Sequence, residues 1–361
     1  MRARRVRLRD FRSYERAEAE LGDGLTVVLG PNGAGKTNLL EAVYFGLTAR
    51  SCRTSNEREL VRLGAELTRT ESEVEGEDGA HLLEVGFKPG EAKHLRVDGA
   101  PVDRFGPDVP RPLTVVFLPE RLELVRGGPS LRRAHLDQFA AALHPAVSDL
   151  RSRYARALAQ RNALVARHSA APGMLDPWDA ELARLGWELM QERSRAAEIL
   201  SEPFARFASE LGLPERAELA YRPRSRATSA DELRAELAER HAADLQRGFT
   251  AHGPHRDELS LAHGGRPLRA FGSQGQQRIG LLALLLAERE VLLELRGLPP
   301  LLLLDDVMSE LDAERRMRLA ELLRGGGQAL ITATEAEHVP GAGEDGVVTI
   351  NVEPGALVVS A

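Results

Sequence analysis

The sequence is poor in cysteine and in long apolar runs, and both shortages exclude classes of protein. Cys52 is the single cysteine among 361 residues, so no disulfide can form within the chain. That usage is typical of a reducing compartment. No apolar run approaches the ~20 residues that a membrane-spanning helix needs, and the opening residues MRARRVRLRDF contain no apolar signal core. We therefore predict a cytoplasmic protein without a membrane partner.

Lysine is also scarce. Of the 48 basic residues only Lys36, Lys88 and Lys93 are lysines, and 54 acidic residues leave a net charge of −6. Bulk charge therefore does not indicate a nucleic-acid partner, which would need a local basic surface. A lysine that persists in such an arginine-rich chain indicates a position that needs a compact ammonium group.

The order of local patterns predicts an α/β protein. Alternating and continuous apolar runs predict strands up to residue 120, with buried ones at LTVVL (25–29) and within PLTVVFLPE (112–120). From residue 132 to residue 248 the pattern is almost entirely that of amphipathic helices, and we predict one long helix over 140–168. A hairpin, a long apolar helix and further strands follow, so α/β elements close the chain.

Residues 30 to 37, GPNGAGKT, match the phosphate-binding pattern G-x-x-x-x-G-K-[ST] between a predicted strand and a predicted helix. Glycines allow backbone N–H groups to surround a phosphate, and the start of the helix adds its dipole. We predict that Lys36 contacts the β- and γ-phosphates of ATP and that Thr37 binds Mg²⁺. The predicted nucleotide contacts of this segment are Gly30, Pro31, Asn32, Gly33, Ala34, Gly35, Lys36, Thr37 and Asn38.

An acidic pair follows a second buried run, LLLLDD, at residues 301 to 306. Ligands of open α/β sheets lie beyond the carboxyl ends of the strands, where these two side chains emerge. We predict that Asp305 holds the Mg²⁺ ion and that Asp306 polarises the attacking water. An ordinary strand end is the alternative, which the phosphate loop upstream disfavours.

A polar stretch, SQGQQR at 273–278, opens the long apolar helix. Its place just before the acidic strand, far from the phosphate loop, resembles the ATP-binding-cassette family, whose signature reads S-G-G-Q. Ser273 suits the N-cap of the helix, and the helix start suits an anion. The resemblance implies that Ser273, Gln274, Gly275 and Gln276 meet the nucleotide held by the loop of a second copy. A capped core helix with a polar first turn is the alternative.

Two departures from that family predict slow hydrolysis. The family commonly has a histidine after the strand that follows the acidic pair, whereas this chain reads ITATE, so we predict that Thr334 takes its place. Asp306 stands where transporters usually carry glutamate and is one methylene shorter. The loop SELD (309–312) resembles the segment that crosses the family's dimer interface.

Five separated segments resemble the RecF family, the bacterial recombination-repair ATPases related to SMC and Rad50 heads. They are LRDFRSYERAEAEL, GPNGAGKTNLLEAVYFGLTARSCR, FLPERLELVRGGPSLRRAHLD, GPHRDELSL and SQGQQR. The resemblance implies an ABC-type ATPase head with a mixed sheet, an antiparallel layer and a helical arm lobe. The implied parts are an ATP-binding lobe over 1–122 and 295–361, an arm lobe over 123–250, and a signature hairpin and helix over 251–294.

The same resemblance implies a function in recombinational repair and replication-fork maintenance. It implies an ATP-dependent homodimer on gapped, double-stranded or single-stranded DNA, a slow DNA-stimulated ATPase, and cooperation with RecR and RecO in loading RecA. Arg12 and Ser13 resemble a nucleotide-contacting motif of Rad50-like heads. Basic candidates for DNA contact are Arg5, Arg7, Arg9, Arg132, Arg133, Arg151, Arg153 and Arg156, for which a solvated arginine face is the favoured alternative.

Three other functions fit parts of the pattern. An ATPase subunit of a membrane transporter would share the signature, although the histidine is missing and the helical middle is long. An SMC-type structural head would need extended heptads between the two halves, and the sequence has none. A P-loop kinase of small molecules would leave SQGQQR unexplained.

Overall fold

The computed structural model describes residues 1–106, 108–167, 173–297, 299–309 and 311–359. The first third of the chain is mostly strand, as the alternating patterns predicted. Its elements are β1 (Arg2–Phe11), β2 (Tyr14–Glu20), β3 (Leu25–Leu29), α1 (Lys36–Thr48), β4 (Thr68–Gly76), β5 (Gly79–Phe87), β6 (His94–Val97), β7 (Ala100–Val102) and β8 (Thr114–Phe117).

The middle of the chain is mostly helical, with two differences from the predicted pattern. Its elements are α2 (Glu123–Arg126), α3 (Pro129–Leu143), α4 (Ala146–Val165), α5 (Asp176–Glu210), β9 (Ala217–Arg222), α6 (Ala230–Ala238), α7 (His241–Arg247), β10 (Glu258–His263), β11 (Arg266–Pro267), α8 (Leu268–Phe271) and α9 (Gln274–Arg296). The single helix predicted over 140–168 is wrong, because Pro145 disfavours helical geometry at His144 and separates α3 from α4. The strand β9 was not predicted.

The last part of the chain alternates strands and a helix. Its elements are β12 (Leu301–Leu304), α10 (Ala313–Arg324), β13 (Ala329–Ala333), β14 (Val348–Glu353) and β15 (Ala356–Val359). Asp312 caps α10, since its side chain accepts a hydrogen bond from the Arg315 backbone N–H. Among the residues described, no helix is both long and apolar enough to cross a membrane.

The chain forms two compact units. The first unit comprises Met1–Arg121, Glu210–Gly212 and Leu292–Ala361, and the second comprises Leu122–Ser209 and Leu213–Val291. The two ends of the chain therefore build one unit, and the middle of the chain builds the other. The finer division after residues 122, 250 and 294 stays a prediction.

The first unit contains two sheets with α1 between them. One sheet has the order β15-β14-β3-β13-β12-β8, parallel from β14 to β8, and the other is antiparallel with the order β2-β1-β4-β5-β6-β7. Helix α1 contacts strands of both sheets, which explains why residues 39–47 of this helix are all buried. The parallel sheet brings the ends of β3, β12 and β13 to one edge. The predicted strand at 112–120 is confirmed as β8, although it lies at the sheet edge rather than in its centre.

The second unit packs helices against a small antiparallel sheet of order β11-β10-β9. Strand β9 pairs with β10 from Ala217 opposite His263 to Arg222 opposite Glu258. Helix α3 contacts both α4 and β10. Ser229 caps helix α6, because its Oγ accepts a hydrogen bond from the Glu232 backbone N–H at 3.2 Å.

Candidate nucleotide site

The predicted phosphate loop follows β3 and leads into α1, as the motif requires. Gly35 has a φ of 119°, and a Cβ at this position would lie 2.8 Å from the Tyr14 hydroxyl. That hydroxyl donates a hydrogen bond of 2.9 Å to the Gly35 carbonyl. The glycine is therefore required by both backbone conformation and space, and Tyr14 forms a wall of the loop.

Lys36, one of the three lysines, folds back over the loop. Its ammonium group donates hydrogen bonds to the Gly30 carbonyl at 2.7 Å and to the Pro31 carbonyl at 3.1 Å. Burial lowers the pKa of Lys36, while the carboxylates of Asp306 and Asp305 act in the opposite direction. Two carbonyls neutralise the charge of a buried ammonium group only in part. The ammonium group of Lys36 could therefore also pair with a bound phosphate.

Thr37 and Asp305 meet although 268 positions separate them in the sequence. The Thr37 hydroxyl lies 2.9 and 2.8 Å from the two carboxylate oxygens of Asp305. Burial raises the pKa of Asp305, and hydrogen bonds from the hydroxyls of Thr332 and Thr37 oppose that shift. A hydroxyl and a carboxylate at the end of a phosphate loop are oxygen ligands of the kind that Mg²⁺ prefers. The two residues predicted to bind the metal are thus adjacent.

Thr332 completes this cluster and was not predicted. Its hydroxyl donates a hydrogen bond of 2.7 Å to Asp305 and accepts one of 2.9 Å from the Asp306 backbone N–H. The neighbouring parallel strands place it there, since Leu304 of β12 pairs with Ile331 of β13. The signal in the sequence is the polar Thr332 within the otherwise apolar run ALITA.

The two residues predicted to assist hydrolysis lie at the ends of the same strands. Asp306 follows β12 with a left-handed φ of 48°, and its carbonyl accepts a hydrogen bond of 3.0 Å from the Ser309 hydroxyl. Thr334 follows β13, and its hydroxyl lies 3.3 Å from Nδ1 of His338. A histidine is therefore present near this strand end, four residues after the position where the family pattern places it. Glu310 of the predicted SELD loop lies outside the described residues.

Arg12, Ser13 and Asn38 link the β1–β2 turn to the start of α1. Asn38 Nδ2 donates a hydrogen bond of 3.0 Å to the Ser13 hydroxyl. The guanidinium of Arg12 donates to both carboxylate oxygens of Glu41 at 2.9 and 3.1 Å, and this carboxylate is fully buried. Ser13 thus lies beside the start of α1 and Arg12 contacts Glu41 of the same helix, and nucleotide contact by either residue stays a prediction. Glu41 was not predicted to take part.

The signature stretch belongs to the second unit. Ser273 and Gln276 form a reciprocal cap of α9: Ser273 Oγ accepts from the Gln276 N–H at 3.2 Å, and Gln276 Oε1 accepts from the Ser273 N–H at 2.8 Å. Ser273, Gln274 and Gly275 are exposed, whereas residues 279–289 of α9 are all buried. The predicted contrast between a polar helix start and an apolar helix body is confirmed.

The arginines offered as DNA contacts have other partners in several cases. Arg5 and Arg7 pair with glutamates on both neighbouring strands. Arg132 is buried and donates two hydrogen bonds to Glu258, of 2.7 and 2.8 Å. The structure therefore favours a solvated arginine face for Arg5 and Arg7 and contradicts an exposed role for Arg132. Arg151, Arg153 and Arg156 of α4 are exposed.

The site combines a glycine loop at a helix start, a lysine over the loop, and a hydroxyl hydrogen-bonded to a buried aspartate just after a parallel strand. This combination defines a P-loop ATPase. A family model described as an AAA domain matches residues 5–101. The proteins named DNA replication and repair protein RecF from Streptomyces avermitilis and from a Synechococcus strain are 40% and 38% identical to this chain. The first alignment spans 351 residues and covers 92% of this chain and 94% of the relative, and the second spans 364 residues and covers 97% and 96%. The chain belongs to the RecF family.

Solved structures agree with that assignment. A structure described as the recombination mediator protein RecF with ATP in the RecFOR pathway matches with a TM-score of 0.87 and 30% identity, covering 99% of this chain and 97% of that chain. A second RecF structure, described as RecF-ATPrS, matches with a TM-score of 0.85 and 29% identity over 100% and 98%. An Smc head bound to a winged-helix domain of ScpA has a TM-score of 0.62 at 16% identity over 100% and 97%, which shows a shared fold.

Proposed function

We propose that this protein is an ATP-dependent DNA-binding protein of recombinational repair and replication-fork maintenance. One observation carries the proposal: in a chain of the RecF family, Thr37 below the phosphate loop contacts Asp305 at the end of β12. That contact assembles the two halves of a nucleotide site from opposite ends of the sequence. The ATPase subunit of a transporter, considered above, has no comparable support.

In this proposal the loop of residues 30–38 binds the phosphates of ATP. The backbone N–H groups of the loop and Lys36 hold the phosphate oxygens, and Tyr14 keeps the loop in shape. Thr37 and Asp305 would hold Mg²⁺, which neutralises charge on the phosphates when it is bound. Thr332 orients the carboxylate of Asp305 through its hydroxyl.

We further propose that two copies close on ATP. The phosphate loop binds the nucleotide from one side, while the exposed cap of Ser273 is a second anion site built on a helix start. A single triphosphate between the two sites would join the loop of one copy to the signature stretch of the other. Gln274, Gly275 and Gln276 would line the second side.

The expected ATPase reaction is slow and stimulated by DNA. Asp306 polarises the attacking water. Its side chain is one methylene shorter than that of glutamate, which is expected to make hydrolysis slower. Thr334 with His338 replaces the direct histidine of related ATPases, and a hydroxyl between imidazole and phosphate is a weaker stabiliser of developing charge. DNA at gaps or single-strand/double-strand junctions would bind the closed dimer, which would work with RecR and RecO to load RecA.

Two substitutions test the nucleotide site and the dimer separately. Lys36→Met should abolish both ATP binding and ATP-driven dimerisation, because the ammonium group is lost. Ser273→Arg should leave ATP binding by the monomer intact and prevent dimerisation, since the anion site is filled. Lys88→Met is the matched control, because Lys88 is an exposed lysine that pairs with Glu91.

Light scattering measures dimerisation, and equilibrium binding of a fluorescent ATP analogue measures nucleotide affinity. ATP-driven dimers of Ser273→Arg would contradict the proposed closure. Retention on gapped DNA, compared with intact duplex across a salt series, tests the DNA partner. Binding that is unaffected by ATP, or equal on both substrates, would contradict that part.

A further inference from the structure

The segment GPHRDE, at 253–258, carries part of the family resemblance, yet the proposed nucleotide site does not use it. The segment follows α7 in the second unit, and its last residue begins β10. We call four arginines on or beside this segment the arginine patch: Arg133, Arg222, Arg224 and Arg256. Arg133 is half-buried and the other three are exposed. The patch is therefore accessible to a ligand.

Asp257 holds the patch together, although its own side chain is fully buried. Arg133 Nη1 donates to the Asp257 carbonyl at 2.7 Å, and the Arg224 backbone N–H donates to the Asp257 carboxylate at 2.7 Å. Arg222 ends β9 two residues before Arg224, and Arg256 directly precedes Asp257. The four arginines thus come from α3, from the end of β9 and from the GPHRDE segment, and these three segments meet at one residue.

Two carboxylates beside Asp257 are matched by buried arginines outside the patch. Arg193 donates to Asp137 at 2.7 and 3.0 Å, and Arg132 donates to Glu258 at 2.7 and 2.8 Å. Both pairs are bidentate, which is the strong form of an arginine–carboxylate contact. Arg193 also lies 3.7 Å from the carboxylate of Asp257. Three carboxylates thus face two buried arginines, so at most one negative charge remains for the four arginines of the patch.

Glu236 of α6 is a further carboxylate in this region, and it has partners of its own. It accepts a hydrogen bond of 2.6 Å from the Ser225 hydroxyl and lies 2.5 Å from Nε2 of His252. The Arg226 backbone N–H points to the same carboxylate at 3.4 Å. Arg226 is therefore not counted with the patch.

The charge of the patch is incompletely compensated. Over the residues that the structure describes, no salt bridge of up to 4 Å joins a patch arginine to a carboxylate. Burial lowers the pKa of Arg133, and the charge of Arg193 adds to this shift although Asp257 acts in the opposite direction. Burial lowers the pKa of His255 as well, and Arg256 and Arg133 lower it further. An anion at this surface would therefore stabilise cations that the protein leaves without a counter-charge.

An aromatic ring borders the patch. Phe249 is 41% exposed, and Cζ of Arg256 lies 5.2 Å from the centroid of its ring. This cation–π contact uses the face of the guanidinium group, whereas the N–H groups lie at its edge and can bind a ligand. Guanidinium groups match phosphate oxygens in pairs, and aromatic rings next to them accept nucleotide bases. The combination suits nucleic acid better than an acidic peptide, which has no bases.

We propose that the arginine patch binds the phosphate backbone of DNA. The inference rests on the proposed function, which requires a surface for DNA and does not assign one. The structure removes several of the basic candidates that the sequence offered, since Arg5 and Arg7 pair with glutamates and Arg132 is buried. Of those candidates, Arg133 belongs to the patch, and the other three arginines of the patch are additions from the structure.

Removal of two patch charges tests the proposal. Arg224→Gln combined with Arg256→Gln should weaken binding to fluorescent gapped DNA by about tenfold in fluorescence anisotropy. The slope of log affinity against log salt should fall by about 2, because each lost phosphate contact removes about one unit of slope. The matched control is Arg184→Gln combined with Arg195→Gln, which removes two partly exposed arginines of the same unit that pair with glutamates. The control should bind DNA as the unsubstituted protein does.

A conservative variant separates charge from folding. Arg224→Lys combined with Arg256→Lys should restore the salt slope, because the charges return, and should restore only part of the affinity, because lysine lacks the planar fork of arginine. ATP binding and urea unfolding should be the same in all three double variants. A loss of affinity whose salt slope does not differ from that of the control would overturn the inference, since the patch would then not contact phosphates.

Protection from chemical modification locates the contact. Phenylglyoxal modifies exposed arginines, and mass spectrometry of the peptides should show that gapped DNA protects Arg224 and Arg256 but not Arg195. Equal protection by poly-glutamate of matched charge would assign the surface to acidic protein segments and overturn the inference. If the unsubstituted protein does not bind gapped DNA, the proposed function fails and this inference with it. If it binds DNA and the glutamine variant binds with unchanged affinity and slope, only this inference is overturned.

Discussion

Two sets of arginines, on β1 in the first unit and at Arg161 in the second, have opposite surroundings. In the first unit Arg5 and Arg7 lie on β1, partly exposed, between glutamates of β2 and β4: Arg5 pairs with Glu20 at 2.8 Å and Arg7 with Glu73 at 2.9 Å. In the second unit Arg161 of α4 is fully buried and bridges Asp179 of α5 and Asp244 of α7, each at 2.7 Å. Arginine thus pairs with glutamates on the surface of a sheet in the first case, and it links buried positions of three helices in the second.

This difference shows that an arginine-rich composition does not imply a basic surface. Exposed cross-strand pairs contribute little because water already solvates both charges. A buried pair is different, since removal of one partner leaves the other charged in a medium that cannot solvate it. Arg193, which contacts Asp137 at 2.7 Å, repeats the arrangement in the second unit. We infer that buried pairs help to specify which helices pack together there.

The largest expected effect is at Arg161. Arg161→Met should reduce the free energy of unfolding by about 3–5 kcal/mol, because Asp179 and Asp244 lose their cation in a buried place. Urea unfolding followed by circular dichroism measures the change. Arg153→Met is the control on the same helix, since Arg153 is exposed and its acidic partners lie 3.8 and 3.9 Å away.

A further substitution sharpens the interpretation. Addition of Asp179→Asn and Asp244→Asn to Arg161→Met should recover part of the loss, because no uncompensated charge then remains. If Arg161→Met lowered the free energy of unfolding by no more than Arg153→Met does, the buried bridge of Arg161 would not stabilise the second unit.

A smaller effect is expected from two histidines with opposite shifts. Burial lowers the pKa of His255 in the second unit to about 4. Its Nε2–H donates to the Thr250 carbonyl, and its Nδ1 accepts from the Tyr154 hydroxyl, both at 2.9 Å, so the neutral ring is fully bonded. Below pH ~6.5 this histidine binds a proton in the unfolded chain but stays neutral in the folded chain. The free energy of unfolding therefore falls by up to about 1.4 kcal/mol per pH unit as the pH decreases toward 4.

His255→Gln should make this pH dependence shallower, as measured by unfolding between pH 4.5 and 7.5. His81 in the first unit is the control, because its contribution to stability changes with pH in the opposite direction. Hydrogen bonding to Asp98 raises the pKa of His81, so its contribution is present at low pH and is lost as the pH rises through the folded pKa. An unchanged slope in His255→Gln would show that other groups dominate the acid sensitivity.

The smallest effect is expected for the exposed arginine–glutamate pairs along β1, which form a ladder across the sheet. Arg7→Gln should change the free energy of unfolding by no more than about 1 kcal/mol, and the change should shrink with added salt. Guanidinium unfolding is unsuitable because its ions screen the ladder, so urea with a salt series is the measurement. A salt-independent loss comparable to that of Arg161→Met would remove the distinction between the two units.

Local motifs were sufficient for much of the nucleotide site. The phosphate loop, the strand before it and the helix after it were predictable because they are contiguous, and so was the cap of Ser273 on Gln276. Thr332 and Glu41 were not predicted, because they reach their partners through strand register and packing. His338 was not predicted either, since it lies in a short turn after β13 that no motif marks. Strand β9 was also missed, since a short strand between helices is recognisable mainly by its partner β10.

The sequence by itself predicted the residues of the candidate ATP site and the type of most elements, because glycine conformation, proline, helix caps and apolar periodicity act within a few residues. Only the tertiary structure decided which arginines are buried bridges and which are exposed ladders. It also decided that Thr37 and Asp305 meet. These outcomes depend on contacts between distant segments, and burial changes the energy of a charge or an apolar group far more than its immediate neighbours in the sequence do.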